Sequence, residues 1–367
     1  MPARKRTGQS SKSKAQPSEA GGKKNKREQD FVADKETGHV LVMGQGDVGQ
    51  LGLGEDIMER KKPGRAKNLE GIDMVELQCG GMHTVALSNQ GKDASGKVGL
   101  QPDGAKHRPS VILTSEKDPI KKIASGNDHT AALTANGDIF TWGCAEQGQL
   151  GRVKECFASR GGRRGLEYIL IPKKVRLRKA LKFKNVFCGS YATFAVAEST
   201  DDVYAWGLNN YGQLGTGDIE NGYLPIKVES LSSLNSDIDK KNIEIANGQH
   251  HTLFLNAGKV YSLGRADYGR LGTGKDAKES STPLHVTSLD GQVISKIACG
   301  EVTSFAVSSK GDLYSWGMGN CLQLGTGEED DVHIPTKVQG KFLHSDTHRV
   351  LGVSSGGQHT AILAREK

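Results

Sequence analysis

Closely spaced glycines let backbone N–H groups approach an anion, so the stretch GQGDVGQLGLG (44–54) first suggests phosphate chemistry. A phosphate-binding loop also needs a lysine and a hydroxyl after its last glycine. Here Gln50 follows Gly49, and the next lysine is Lys61. The stretch also returns, as GCAEQGQLGR (143–152), GLNNYGQLGTG (207–217), GRADYGRLGTG (264–274) and GMGNCLQLGTG (317–327). A unique ligand loop does not recur, so these glycines are a repeat signature.

A second marker carries histidine beside threonine: CGGMHTVAL (79–87), SGNDHTAAL (125–133), CGSYATFAV (188–196), NGQHHTLFL (247–255), CGEVTSFAV (299–307) and SGGQHTAIL (355–363). His83, His129, His251 and His359 share one offset, an architectural pattern. Asp128 is different, because no other copy has an acid at its position. Cys79, Cys188 and Cys299 also share an offset, each directly before a glycine, and read as small core residues. None of the six cysteines forms a CxxC pair, so zinc ligation has no support and a reducing compartment fits. No metal or cofactor is expected.

Cations concentrate in two places. In residues 2–30, Arg4, Lys5, Arg6, Lys12, Lys14, Lys23, Lys24, Lys26 and Arg27 oppose only Glu19, Glu28 and Asp30, an excess that nearly accounts for the chain's net +7. With no apolar run, this tail cannot bury a core and is expected to be disordered. Its split clusters RKR and KKNKR suit nuclear import and DNA phosphate binding. The second concentration is the insertion RVKECFASRGGRRGLEYILIPKK (152–174), with Arg160, Arg163 and Arg164.

These residues need elements to hold them. Inside the histidine marker apolar positions alternate with small or polar ones, as in a half-buried strand. A turn such as TANGD (134–138) or SSKGD (308–312) follows, then a short strand such as IFTWG or LYSWG, which makes a β-hairpin. The markers recur roughly every 46 to 63 residues, which suits a four-stranded propeller blade. With 48 glycines and no sustained helical period, the chain reads as all-β, a β-propeller over 37–367 behind a basic tail at 1–36. GHVLVMG (38–44) has the form of a strand that completes a blade begun at the C-terminus, closing the ring. No apolar run of membrane-spanning length or secretory signal occurs, so a soluble intracellular protein is expected.

These markers resemble the regulator of chromosome condensation family, and the segments at 44–63, 80–88, 125–138, 143–153, 261–272 and 353–363 are similar beyond the generic repeat. The resemblance implies a seven-bladed propeller that promotes guanine-nucleotide exchange on the small GTPase Ran. It further implies a nuclear, chromatin-bound monomer that meets the histone acidic patch, DNA and an import receptor, and no membrane. Asp47, Asp128, Arg152, His251 and His359 match positions the family uses in the GTPase interface or in exchange. The segment 93–100, with Asp93, Ser95, Gly96, Lys97 and Val98, resembles the β-wedge that contacts the GTPase's phosphate-binding region. Arg160, Arg163 and Arg164 match the loop that grips the nucleosome. Only six markers are countable, with no third strand expected after Leu87 and about one blade absent between Lys92 and Asp93. That departure leaves a second reading open, a non-catalytic chromatin-binding scaffold.

Overall fold

A computed structural model of the chain describes residues 36–47, 49–53, 56–80, 84–88, 93–95, 118, 120–177, 181–234 and 243–367. Among the described residues, six antiparallel sheets follow one another around a central cavity. Four are continuous in sequence: Ile120–Lys174, Phe183–Lys227, Glu244–His285 and Ile294–Lys337. A fifth joins both ends of the chain, with Glu59–Arg65 outermost, then His39–Gln45, His359–Glu366 and His348–Ser355 innermost. The sixth, Met74–Ser95, has three strands.

The expected closure at 38–44 is present: Val40 pairs with Leu363 and Val42 with Ala361, so the first strand and the last share one ladder. One expectation is corrected. A third strand does follow Leu87, since Asp93–Ser95 pairs with it, Ser95 opposite Val85 and Asp93 opposite Leu87. The ladder groups of Thr84–Ser88 would otherwise be unpaired on that side, and a short return segment satisfies them. Asp93 and Ser95 therefore lie in the third strand of that sheet. Gly96, Lys97, Val98, His83 and the tail cations Arg4, Lys5, Arg6, Lys23, Lys24, Lys26 and Arg27 lie outside the described residues.

Alternation places apolar side chains between neighbouring sheets. Phe194, Val196, Ile245, Phe254 and Leu263 form one such layer, and Leu41, Met43, Phe305, Val307 and Ile362 another. The histidine markers lock these layers. Thr193 donates its hydroxyl proton to the Gln149 carbonyl of the preceding blade (3.0 Å), and Ser304, Thr360 and Thr84 do the same to Arg270, Gln323 and Gln50. A hydroxyl has one proton, so the imidazole nitrogen that meets it must donate. His129 Nε2 does so to Thr193 (2.8 Å), His251 Nε2 to Ser304 (2.9 Å) and His359 Nε2 to Thr84 (2.8 Å). Trp206 and Trp316 add Nε1–H bonds to the same carbonyls of Gln149 and Arg270 (2.9 and 3.0 Å).

The glycine three residues before each histidine has a steric cause. A Cβ on Gly126, Gly248 or Gly356 would lie within 2.6 Å of the imidazole Cε1 of His129, His251 or His359. The glycine loops contribute positive backbone angles instead, as at Gly44 (φ +103°), Gly143 (+115°) and Gly264 (+105°).

Candidate partner-binding end of the ring

Within each blade the connections between first and second strands and between third and fourth strands leave from one end, because neighbouring strands are antiparallel. That end gathers Asp47, Asp128, His250, Arg265 and the 152–172 insertion. Asp47 and Asp128 are exposed and have no ion-pair partner among the described residues. Asp128 is fixed through its backbone, its carbonyl accepting from Cys144 N–H (2.8 Å), which leaves the carboxylate outward.

The histidines named with them are placed elsewhere. His251 and His359 are fully buried in the blade contacts above, as is His129 (3% exposed). Burial holds His129 down to about 4; burial and then Arg270 hold His251 down to about 3. These imidazoles are buried braces, neutral in His129 and His251, and do not reach the surface. Arg152 is also engaged. Its guanidinium donates to the carbonyls of Thr141 (3.0 Å), Tyr168 (2.8 Å), Ile169 (3.2 Å) and Ile171 (3.3 Å), tying the insertion to its blade. A fork spent on backbone carbonyls is not a free cation.

The insertion is ordered around Ala145, Leu150, Val153 and Ile169. Arg160 (φ +48°), Gly161 (+78°) and Gly162 (+53°) turn it sharply. Arg164 lies between the rings of Phe157 and Tyr168, 4.8 Å from each centroid, whereas Arg160 and Arg163 are exposed without a partner among the described residues. Leu166, Leu170 and Ile171 stand exposed beside them.

A further cluster forms around His250 on this end. His250 Nδ1 meets Asn210 Oδ1 (3.2 Å), and its ring stands edge-on to Tyr211 (5.0 Å). Arg265 covers Tyr211 (4.7 Å) and pairs with Asp267 (2.6 Å). Beneath them Arg270 is 1% exposed, donating to the Asp267 carbonyl (2.9 Å). Desolvation, then Arg270 and Arg265, hold His250 down to about 4. The signal was present, since Arg270 takes the position that Gln50, Gln149, Gln213 and Gln323 fill in other repeats.

At the ring's centre Asn127 Nδ2 reaches across to Glu301 Oε1 (3.3 Å), above a narrow cavity of about 110 Å³ lined by the marker glycines and cysteines. Cys79 and Cys299 donate their thiols to the carbonyls of Ser354 and Ala246 (3.2 and 3.3 Å), and burial pushes the Cys188 thiol up to about 12. All six cysteines are free. No group of three or more metal-ligating side chains occurs among the described residues, nor a helix long and apolar enough to cross a membrane.

Comparison with known proteins decides what ring this is. A model of the regulator of chromosome condensation (RCC1) repeat matches residues 37–87, and a model of the RCC1-like domain matches 90–362. The chain belongs to the regulator of chromosome condensation family. The human regulator of chromosome condensation is 41% identical over 397 aligned positions, covering 90% of this chain and 92% of the relative, and the Xenopus laevis protein is 42% identical over 394, covering 90% of each. Among solved structures of the family, Prp20p from Saccharomyces cerevisiae superposes with a TM-score of 0.72 at 24% identity, covering 94% of this chain and 95% of Prp20p. Yeast RCC1 (Prp20) in complex with Kap60 gives 0.75 at 23%, covering 99% and 97%. The 397 aligned positions exceed what 90% of a 367-residue chain can fill, so gaps in this family member amount to about one repeat.

Proposed function

We propose that this chain promotes guanine-nucleotide exchange on the small GTPase Ran from the loop end of the ring, while its tail and insertion hold it on chromatin in the nucleus. The observation that carries this reading is 41–42% identity across 90% of the chain to proteins named for chromosome condensation. Prp20p, of the same fold, has binding properties toward Gsp1p and histones, and a complex with Kap60 exists. Histones, and an import receptor on the tail, follow as partners here; DNA is the tail's partner by charge.

Exchange asks for no nucleophile. A protein that binds the nucleotide-free GTPase most tightly weakens nucleotide binding by the same coupling free energy. It therefore acts by differential binding, without covalent chemistry. On this surface Asp47 and Asp128 offer unpaired carboxylates to a basic or N–H-rich partner, and neutral His250 offers a ring already oriented by Asn210. His251, His359 and Arg152 act one layer below, by fixing the loops.

The six sheets among the described residues, one of them three-stranded there, together with about one repeat of gaps, favour the second reading, a chromatin scaffold without exchange activity. Release of labelled GDP from Ran, with and without the chain, separates the two. Acceleration supports exchange. The spontaneous rate at saturating chain rejects it in favour of the scaffold.

A further inference from the structure

The outermost strand of the closing blade, Glu59–Arg65, differs from its counterparts. Register aligns Arg60, Lys61 and Lys62 with Gly222, Tyr223 and Leu224 in one blade, Ser280, Ser281 and Thr282 in the next, and Val332, His333 and Ile334 in the third. All four strands then have proline, here Pro63. Three consecutive cations thus belong to this blade alone among the four. Glu59 to Lys62 are exposed, and neither Arg60, Lys61 nor Lys62 has an ion-pair partner among the described residues.

They line a cleft of about 820 Å³ between this strand and the neighbouring blade, whose far side is Gly327, Lys341 and Phe342. Lys341 Nζ and the Arg65 guanidinium lie 5.5 and 5.8 Å from the Phe342 ring. The only carboxylates among its lining residues are those of Glu59 and Glu70.

We infer that this cleft is a second binding site for the phosphate backbone of duplex DNA, on the folded ring and separate from the tail. Successive residues on a strand rise about 3.3 Å, so even across the bulge between Arg60 and Gly64 the three exposed cations Arg60, Lys61 and Lys62 fall within roughly 7 Å of one another along the edge, a line of charge suited to a line of phosphates. An added peptide strand is disfavoured, since Pro63 removes a donor from the edge.

The test is binding of a naked duplex by the full chain across a salt series, with neither Ran nor nucleosomes present, so its outcome is independent of the exchange reading. Arg60→Ala/Lys62→Ala should flatten the slope of log Kobs against log salt by about 1.8, two phosphates at about 0.9 each. The control Lys275→Ala/Lys278→Ala removes the same charge from another exposed site and should leave the slope unchanged. Equal slopes in wild type and Arg60→Ala/Lys62→Ala, or equal flattening in both variants, would overturn the site. Loss of poly-glutamate binding with an unaltered DNA slope would overturn it in favour of an acidic protein partner.

Discussion

Two kinds of histidine share one short sequence, QHHT, and the difference between them is what a substitution experiment must respect. His251 is fully buried and donates to Ser304, whereas its neighbour His250 reaches the loop end and is held by Asn210. His251→Ala removes an interblade bond and leaves a cavity, so it should lower stability by about 2–4 kcal/mol, read from denaturant midpoints. His250→Ala or Asp128→Ala should slow GDP release from Ran while changing stability by under about 0.5 kcal/mol. A slowed rate in His251→Ala that recovers on cooling would mark its role as architectural. The buried imidazoles also set a pH dependence. Their folded values, about 4 for His129 and about 3 for His251, lie below the ordinary 6.5, so the unfolded chain binds more protons at acid pH. Their contribution is full above pH 6.5 and is lost as pH falls from there toward 4, by about 1.4 kcal/mol per pH unit for each histidine. Melting temperature should fall between pH 6.5 and 5, and Ser304→Ala should not abolish that slope, because desolvation and not the hydroxyl is its main cause.

At the scale of elements, the insertion is held by Arg152 from below and presents Arg160 and Arg163 above. Arg152→Ala should expose the 155–171 segment to limited proteolysis while the blades stay resistant, since only the loop's carbonyls are deprived of their donor. Arg160→Ala/Arg163→Ala should leave proteolysis unchanged and weaken nucleosome binding at least tenfold more than naked-DNA binding, because a guanidinium meets a carboxylate in a paired geometry that phosphate-only DNA lacks. Equal weakening on both substrates would reduce the loop to a basic patch. Arg164 is left out of that pair on purpose, its charge being spent on Phe157 and Tyr168. These elements show how far sequence reaches. The repeat offset of His129, His251 and His359 announced architecture, and the structure names it: a neighbour's hydroxyl on one nitrogen and a glycine against the ring edge. Asp128 stood out because its offset had no equivalent. The stacking of Arg164 and the bracing by Arg152 were illegible, because each depends on which segments the ring brings together; the cluster around Arg270 had a signal, arginine in place of the repeat's glutamine, but not its partners. The three-residue strand Asp93–Ser95 was missed for a related reason: a ladder needs only backbone, and DAS carries no strand pattern.

At the scale of the whole molecule, charge and closure set behaviour. Deleting residues 1–30 should flatten the salt slope of DNA binding by about 0.9 for each phosphate that the tail no longer neutralises, up to roughly 5 if all its excess charge is engaged. A residual slope in that deletion would come from the ring. Closure has a different consequence, one of timing. The strand His39–Gln45 is made about 320 residues ahead of its partner, His359–Glu366. At about 5–20 residues per second, a ribosome needs roughly 15–60 s to travel between them. Through that interval Leu41 and Met43, buried in the finished ring, lack the Ile362 and Ala364 side chains that cover them. The newborn chain carries a sticky strand until His359–Glu366 leaves the ribosome and covers it.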